Sequence, residues 1–342
     1  MRIALVSDAW HPQVNGVVRT LATVAREVAA KGHEVRPITP ACFRTVPCPT
    51  YPEIRLALLP GRRVARLIDE AGPDHIHIAT EGPLGMAARR HCLRRGFAFT
   101  TSFHTRFPEY VAARFGVPVG FTYAWLRHFH ALASGVMVAA PSIRHELEAR
   151  GFRNVRPWSR GVDAALFNPA ARADWPGIPR PIFLMVTRVA VEKNVAGFLE
   201  LDLPGSKMVV GDGPQLAEMK RRFPAVHFMG RHEGPDLARC YASADVFVFP
   251  SRTDTFGLVL LEALASGVPV AAFPVTGPLD VVGDAPVGRL DTDLRRAALE
   301  CLAISREACR AHALKFSWHT VAQQFLGNLV PIRVRSAYAL AR

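Results

Sequence analysis

Residues 246–270 of the chain read VFVFPSRTDTFGLVLLEALASGVPV, and this stretch decides the fold. Its first four residues form a continuous apolar run, which predicts a buried strand that ends at Pro250. After a short loop, Gly257 opens a helix with apolar residues on most faces, and Gly267 ends that helix. A buried strand followed by a loop and a helix is the repeating unit of a parallel α/β sheet.

Two carboxylates and the helix start give this stretch its chemical character. Asp254 lies in the loop, and Glu262 lies eight positions on, among apolar neighbours where an unpaired charge is costly. The backbone N–H groups of Phe256, Gly257 and Leu258 stand at the helix start, where the dipole favours an anion. Acids beside such amides suit a sugar attached to a phosphate. A helix start with an Asp cap and a salt-bridged Glu is the alternative interpretation.

The stretch resembles the E-x7-E segment of the retaining glycosyltransferases of family 4, which have the GT-B fold. Here it reads Asp254-x7-Glu262, so the first acid is one methylene shorter than usual. The resemblance implies that Asp254 acts on the donor sugar by binding its hydroxyls, and that Glu262 binds the ribose of the nucleotide. It also implies that Thr255 and the three amides named above line the donor. The shorter acid leaves the choice of sugar open.

A second motif places two cations in a loop between a strand and a helix. Arg188 and Lys193 lie five positions apart, after the apolar run at residues 181–186. A guanidinium binds a diphosphate as a fork, and an ammonium binds it as a point charge. The spacing matches the family's R-x4-K phosphate clamp, which implies that both cations stabilise the charge developing on the leaving diphosphate. Two solvated surface cations are the alternative interpretation.

The resemblance implies that no metal ion or other cofactor is needed, because the clamp takes the metal's place. Asp291-Thr292-Asp293 looks like the D-x-D of metal-dependent transferases, but it lies far in sequence from the clamp. His75 and His77 share one strand without a further ligand cluster, so we interpret them as structural. The first strand is not followed by G-x-G-x-x-G, so a nicotinamide cofactor is not expected.

The start of the chain predicts a βαβ unit, with strands at residues 3–6 and 35–38 and a helix at about 17–31. Gly16 ends the first loop, and its amide can approach a phosphate at the helix start. The family has a comparable glycine loop that touches the donor diphosphate. An ordinary tight turn is the alternative interpretation of Gly16.

A histidine follows another apolar strand, FAFTTS, at residues 97–102. His104 stands just past the carboxyl end of this strand, where α/β folds bind ligands. The segment HTRFPEY at residues 104–110 resembles the lipid- and mannose-transferring members, which implies a catalytic His104 beside the donor sugar. In the second half, Gly230 and Arg231 end a strand at a turn that borders the nucleobase in the family.

The net charge of +13 is concentrated in the first half of the chain. Residues 1–168 carry 22 Lys and Arg against 12 Asp and Glu, and seven of these arginines could contact anionic headgroups: Arg62, Arg63, Arg66, Arg89, Arg90, Arg94 and Arg95. Residues 110–130 mix cations with aromatic side chains: Arg114, Phe115, Phe121, Tyr123, Trp125, Arg127 and Phe129. Such a segment fits a membrane interface, and it fits a core helix pair equally well.

The length of 342 residues suggests two domains. We expect two Rossmann-like α/β domains facing each other across a cleft. The acceptor domain would span residues 1–168 joined by a returning tail at 317–342, and the nucleotide-sugar domain would span residues 169–316. Six scattered cysteines without a CxxC pair favour reduced thiols, and no apolar run reaches transmembrane length. We therefore expect a cytoplasmic protein, peripherally associated with the inner face of the cell membrane.

These observations predict a retaining glycosyltransferase that moves a hexose or hexuronic acid from a nucleotide-sugar, with a UDP-sugar favoured. The predicted acceptor is a membrane lipid such as diacylglycerol at an anionic surface. The alternative is a GDP-mannose-dependent α-mannosyltransferase acting on a lipid or a polysaccharide. An epimerase of the same fold, which releases free sugar, is a rival. A nucleic-acid partner is not expected, because the sequence contains neither a groove-reading helix nor an aromatic sheet motif.

Overall fold

The computed structural model describes residues 1–13, 15–48 and 51–332 of the chain. The chain divides into two compact units, Met1–Ser159 with the residues from His319 onward, and Arg160–Trp318. Each unit contains a six-stranded sheet whose neighbouring strands are parallel. These are the two Rossmann-like α/β halves that the sequence predicts.

The first unit contains eight described strands and seven described helices. The strands are β1 Arg2–Val6, β2 Glu34–Ile38, β3 Thr45–Cys48, β4 Tyr51–Ala57, β5 His75–Ile78, β6 Thr100–Phe103, β7 Gly135–Val138 and β8 Val155–Pro157. The helices are α1 Gly16–Ala30, α2 Gly61–Ala71, α3 Pro83–Arg95, α4 Phe107–Phe115, α5 Val119–His130, α6 Pro141–Ala149 and, at the end of the chain, α14 Trp318–Asn328, of which all but the first residue belong to this unit.

The second unit alternates strands and short helices. The strands are β9 Ile182–Val186, β10 Ser206–Val210, β11 His227–Gly230, β12 Val246–Phe249, β13 Val270–Ala272 and β14 Gly288–Leu290. The helices are α7 Val195–Leu199, α8 Leu216–Arg222, α9 Gly234–Ser243, α10 Leu258–Ala265, α11 Pro278–Val281, α12 Leu294–Cys301 and α13 Arg306–Ala313.

The strand order of each sheet fixes where a ligand can bind. The first sheet runs β2-β1-β5-β6-β7-β8 and the second runs β11-β10-β9-β12-β13-β14. The direction of strand addition therefore reverses between β1 and β5, and again between β9 and β12. Open parallel sheets bind ligands at such switch points, beyond the carboxyl ends of the strands.

The stretch at residues 246–270 lies at the centre of the second unit. β12 is buried along its whole length, and α10 buries its last six residues. A central parallel strand is covered by helices on both faces, which is why its sequence is continuously apolar rather than alternating.

The unit boundary falls before the position expected from the sequence. Residues 160–168 belong to the second unit, because they bond to residues near the end of that unit. Val162 forms an isolated bridge with Ser317. Arg310 donates to the carbonyl of Ala164 at 2.7 Å and to that of Phe167 at 2.5 Å. These partners are about 150 residues away in sequence, so local composition does not reveal them.

The returning C-terminal helix packs on the first unit. The Phe325 ring lies 5.2 Å from the ring of Trp158, and Asn328 Nδ2 donates to the carbonyl of Pro157 at 2.8 Å. After the helix, Pro331 forms a bridge with His75. Residues 333–342 of the expected tail lie outside the described residues.

Candidate active site

The two predicted motifs of the second unit meet at its switch point. Lys193 lies in the loop that follows β9, and Asp254 lies in the loop that follows β12. Lys193 Nζ is 2.6 Å from Asp254 Oδ1, and each side chain is 19% exposed. Asn194 Nδ2 also donates to the carbonyl of Pro250 at 3.2 Å, which fastens the two loops together. A cation and an acid, 61 positions apart in sequence, thus form one polar site.

Arg188 lies half-buried in the same loop as Lys193, and two glycines hold that loop in place. Gly211 has φ +137°, and a Cβ there would come 1.8 Å from the carbonyl oxygen of Thr187. At Gly213 a Cβ would come 2.4 Å from the carbonyl oxygen of Val189. The loop after β10 therefore presses directly on the backbone that carries Arg188. The motif Gly-Asp-Gly is the sequence signal for this close approach.

The start of α10 carries no side-chain cap. Gly257 precedes the helix in the left-handed region, at φ +82°, and its position makes no capping hydrogen bond. Asp254 pairs with Lys193 instead, so the alternative interpretation as an Asp cap is wrong. Gly277, at φ +92°, would place a Cβ 3.0 Å from the carbonyl oxygen of Phe256, so the loop after β13 also packs here. Thr255 and Leu258 flank these residues on the same loop and first turn.

Glu262 is a buried acid rather than a surface salt bridge. Its residue is 2% exposed, and Tyr241 Oη donates to Glu262 Oε2 at 2.9 Å. Tyr241 is itself fully buried on α9. The sequence analysis did not find Tyr241, although a tyrosine just upstream of a buried strand, facing an acid in the next helix, is a signal that hydrogen-bond accounting would catch.

The loop after β12 has hydrogen-bonding capacity to spare. Ser251 Oγ, Thr253 Oγ1 and Asp254 Oδ2 are buried, and none has a hydrogen-bond partner within the described part of the chain. Unsatisfied buried polar atoms are rare because each costs about 1–3 kcal/mol. Three of them within four residues fit a ligand rich in hydroxyl groups.

Gly230 and Arg231 lie beside the loop that follows β10, and they are not part of the Lys193–Asp254 pair. Gly230 accepts a backbone hydrogen bond from Gly211 at 2.7 Å, which places the end of β11 next to the glycine loop. The Arg231 side chain is exposed, and its Nε donates to Glu233 at 3.0 Å.

The first-unit candidates lie at the carboxyl edge of the first sheet. His104 follows β6, and its ring meets the ring of Trp158 edge-on at 5.6 Å. Gly16 is the exposed first residue of α1. The Asn15 side chain accepts from the two amides that follow Gly16, at 3.0 Å each, so this helix start is capped by the protein.

Asp8 is a buried acid at the switch point of the first sheet that the sequence analysis did not single out. It accepts from Thr80 Oγ1 at 2.8 Å and from the Leu84 amide at 2.9 Å, so it caps the start of α3. A Cβ at Gly82 would lie 2.5 Å from its carboxyl carbon. Burial raises the pKa of Asp8, and these hydrogen bonds oppose that rise. Its position directly after the first strand was the available signal.

The HTRFPEY segment forms a charged network around helices α4, α5 and α6. Arg106 Nη2 lies 2.6 Å from Glu146, and Tyr123 Oη donates to Glu109 at 2.9 Å and to Glu146 at 3.2 Å. Burial, followed by the two nearby acids, raises the pKa of Tyr123. The Arg150 guanidinium covers the Tyr123 ring at 3.9 Å.

Residues 110–130 form two helices with a buried aromatic face and an exposed one. The two helices α4 and α5 pack together, and α5 buries Tyr123 and Phe129. On its other face Phe121 is 73% exposed, and Trp125 is also exposed. The side chains of Arg114 and Phe115 lie outside the described residues.

In the two patterns that resemble metal sites, at residues 75–77 and 291–293, His77 and both aspartates make other contacts. His77 bonds Thr100 Oγ1 at 2.9 Å and Ser102 Oγ at 2.8 Å, and burial lowers its pKa to about 3. Asp293 caps α12 by accepting from the Arg296 amide at 3.0 Å, while Asp291 pairs with the Arg296 guanidinium. Within the described residues, no helix is both long and apolar enough to cross a bilayer.

Two family models match the chain, one in each half. Residues 14–166 match Glycosyltransferase Family 4, and residues 180–302 match Glycosyl transferases group 1. A GDP-mannose-dependent alpha-mannosyltransferase of Mycobacterium tuberculosis is 31% identical, covering 98% of this chain and 98% of the relative. An alpha-monoglucosyldiacylglycerol synthase of Streptococcus pneumoniae is 25% identical, covering 96% and 84%.

Among solved structures, a sucrose-phosphate synthase from Thermosynechococcus elongatus has the same fold, with a TM-score of 0.75 and 22% identity. The match covers 95% of this chain and 97% of that one. The two parallel-sheet units therefore have the GT-B fold. The chain belongs to glycosyltransferase family 4, as the sequence predicted, and it is an enzyme that transfers a glycosyl group.

Proposed function

We propose that the chain transfers mannose from GDP-mannose, with retention of configuration, to a membrane lipid such as diacylglycerol. The observation that carries this proposal is the 2.6 Å contact between Lys193 and Asp254 at the switch point of the second sheet. It joins the cation expected at the diphosphate to the acid expected at the sugar. The alternative pattern, two solvated surface cations, does not account for a Lys193 that is mostly buried against that acid.

The donor assignment draws on the relatives as well as on the site. The sequence alone favours a UDP-sugar over GDP-mannose. The relative from Mycobacterium tuberculosis, which matches 98% of this chain, is named for GDP-mannose, so we propose GDP-mannose as the donor. The proposed acceptor is supported by the name of the streptococcal relative, alpha-monoglucosyldiacylglycerol synthase, and by the exposed aromatic face of α5.

The residues have the following proposed roles in the transfer. Arg188 and Lys193 hold the diphosphate, and they stabilise the negative charge that grows on it as the bond to the anomeric carbon breaks. Asp254 accepts hydrogen bonds from sugar hydroxyls. The acceptor oxygen bonds to the anomeric carbon on the face that the phosphate leaves, and the departing diphosphate takes the acceptor's proton.

The remaining candidates position the two substrates. Glu262, oriented by Tyr241, accepts from the ribose hydroxyls. Gly230 and Arg231 border the base, and Thr255 with the first turn of α10 lies along the phosphates. Gly16 and His104 keep the roles that the family resemblance implies, at the diphosphate and beside the sugar.

The proposal also includes an association with the inner face of the cell membrane. Its support is the excess of Lys and Arg in the first half and the outward-facing Phe121 and Trp125. Pelleting with anionic vesicles tests it, since a protein that remains in the supernatant at low salt does not bind them.

A panel of nucleotide-sugars with a lipid extract tests the function. The purified enzyme is incubated with GDP-mannose, UDP-glucose or UDP-glucuronic acid, and the lipids are examined by mass spectrometry. We expect a lipid that gains one hexose only with GDP-mannose. A product from a UDP-sugar alone would overturn the donor assignment. Free sugar without any lipid product would favour the epimerase.

A further inference from the structure

The turn between β4 and α2 exposes two leucines at its tip. Leu59 is 97% exposed and Leu58 is half exposed. The Leu58 amide donates to the carbonyl of Arg44 at 2.9 Å, so the backbone of the turn is anchored to the segment before β3. Single exposed apolar residues are common on protein surfaces. Two adjacent leucines on an anchored turn form a local apolar projection.

Leu59 also has a backbone conformation that does not suit a leucine. Its φ is +46°, in the left-handed region that favours glycine. The next residue is Pro60, which restricts the backbone of the residue before it still further. A glycine would relieve this strain, and the side chain that causes it makes almost no contact with the protein. Strain that folding does not require points to a function outside the fold.

The charges around the tip are positive. Arg62 and Arg63 lie in the first turn of α2 and Arg66 in its second, and all three are exposed. That first turn contains no acid, although the helix dipole favours acids there. The Arg63 guanidinium lies over the Phe43 ring at 5.6 Å, and Arg66 makes an exposed, weak pair with Glu70 at 3.5 Å. The helix dipole and the arginines therefore add to one positive potential.

The tip lies at the edge of the first sheet where its candidate residues lie. A helix that connects parallel strands begins near their carboxyl ends and ends near the start of the next strand. α2 follows β4 of the antiparallel hairpin, but the chain after it reaches the start of β1, where the Asp74 amide donates to the carbonyl of Arg2 at 2.8 Å. The last turn of α2 therefore lies toward the amino edge of the sheet, and its first turn lies toward the carboxyl edge, where the loops after β1 and β6 begin. Those loops carry Gly16 and His104.

We propose that Leu58 and Leu59 insert into the interface of an anionic bilayer, while Arg62, Arg63 and Arg66 bind the headgroup phosphates. This inference rests on the proposed lipid acceptor and names the surface that reaches it. An apolar tip surrounded by cations is complementary to acyl chains beneath a layer of negative headgroups. The insertion brings the carboxyl edge of the first sheet to the membrane surface, where a lipid headgroup is available.

Co-sedimentation with vesicles tests the tip directly. The protein is mixed with vesicles of phosphatidylcholine, with and without phosphatidylglycerol. Leu59→Gly should weaken binding to the anionic vesicles by about tenfold or more, since it removes the inserted side chain. The same substitution should raise the melting temperature, because it relieves the strain at φ +46°. A loss of binding together with a gain in stability cannot come from misfolding.

Matched variants separate the tip from other surfaces. Leu314→Gly, at an exposed leucine of the second unit, should leave binding unchanged. Arg62→Glu with Arg63→Glu should remove the part of the binding that depends on phosphatidylglycerol and on low salt. Wild-type binding by Leu59→Gly would overturn the inference. So would a loss confined to Phe121→Ser and Trp125→Ser, which would move the contact to α5.

An assay in detergent distinguishes this inference from the proposed function. With GDP-mannose and short-chain diacylglycerol in detergent micelles, Leu59→Gly should turn over like the wild type, because no bilayer needs to be reached. If the wild type transfers mannose in micelles but never binds vesicles, the inference and the proposed membrane association both fail, while the proposed transfer reaction stands. If the wild type binds vesicles through Leu59 but glycosylates no lipid, the proposed acceptor fails.

Discussion

Asp254 and Lys193 bind each other in the described structure, so each residue affects what the other can do. The carboxylate neutralises the ammonium at 2.6 Å, and a donor diphosphate would compete for the same ammonium. The two partners should therefore respond differently to substitution, although they belong to one site.

Asp254→Ala should affect the sugar more than the nucleotide. The variant loses the acceptor for sugar hydroxyls, and we expect kcat/KM for the nucleotide-sugar to fall about 100-fold. The affinity for free GDP should stay the same or increase, because Lys193 is released from its acid. Initial rates and calorimetric titration of GDP give the two numbers. A large loss of GDP affinity would place Asp254 at the nucleotide instead.

Tyr241→Phe tests whether the tyrosine positions Glu262. The variant leaves one oxygen of a buried carboxylate without its 2.9 Å donor, so unfolding by urea should require about 1–3 kcal/mol less free energy. KM for the nucleotide-sugar should rise while kcat changes little. In a Glu262→Gln background the same substitution should cost less, because the charged partner is gone. An equal cost in both backgrounds would mean that Tyr241 does not act through Glu262.

At the scale of single residues, sequence motifs identified the charged members of the site but not their supports. Lys193 and Asp254 stand in spaced patterns and could be found by eye. Tyr241 and Asp8 belong to no spaced motif, because each acts through hydrogen bonds to residues distant in the chain.

The elements around the second switch point are held by close backbone approaches. The loop after β10 can lie against the loop that carries Arg188 only because Gly211 has no side chain. This contact joins the loops that follow two neighbouring strands, so it affects how both loops are positioned at the site.

Gly211→Ala should therefore be severely destabilising. A Cβ at 1.8 Å from the Thr187 carbonyl oxygen forces one of the two loops to move, and φ +137° is itself unfavourable for alanine. We expect a loss of about 3 kcal/mol or more in the free energy of unfolding, with weaker GDP binding. Gly120→Ala is the matched control, because Gly120 lies in α5 with nothing within 4 Å of its Cβ position. It should stabilise the protein slightly. Tolerance of Gly211→Ala would refute the close approach.

Elements with a strong local signal were predicted closely. β12 begins and ends where the apolar run does, and α10 begins one residue after Gly257. The hairpin β3–β4 and the helix α2 were not predicted. Each strand of the hairpin contains a proline, which weakens the strand signal. Helix α2 does carry apolar residues at the helical spacing, at positions 64, 67, 68 and 71, so its signal was present in the sequence and was overlooked.

Across the whole molecule, the boundary between the units was predicted less well than the units themselves. Composition located two α/β halves, but the segment at residues 160–168 joins the second unit through Arg310 and Ser317. Long-range hydrogen bonds to carbonyl groups leave no pattern in the sequence.

The stability of the first unit should depend on pH through His77. Burial lowers its pKa from 6.5 to about 3, so between these values the folded state binds fewer protons than the unfolded state. Stability should then fall as the pH drops below 6.5, by at most about 1.4 kcal/mol per pH unit. Burial raises the pKa of Asp8, so above pH 3.8 the folded state binds more protons than the unfolded state. This group should therefore lower the stability as the pH rises above 3.8, which is the opposite of the effect of His77.

Urea unfolding of the wild type and of His77→Gln, at about pH 5 and about pH 7, isolates the histidine. The variant should be less stable overall, because it loses hydrogen bonds to two hydroxyls, but its stability should change less between the two pH values. Equal pH dependence in both proteins would mean that other groups control the acid sensitivity.

The central claim is that the switch point of the second sheet holds the donor diphosphate, and calorimetric titration of GDP tests it most directly. The wild type is compared with Lys193→Met and with Lys220→Met, a control at an exposed lysine of the same unit. We predict that Lys193→Met weakens GDP binding by about tenfold or more, because the diphosphate loses a cation and meets an unneutralised Asp254. Lys220→Met should bind GDP like the wild type. Equal affinity in all three proteins would contradict the account.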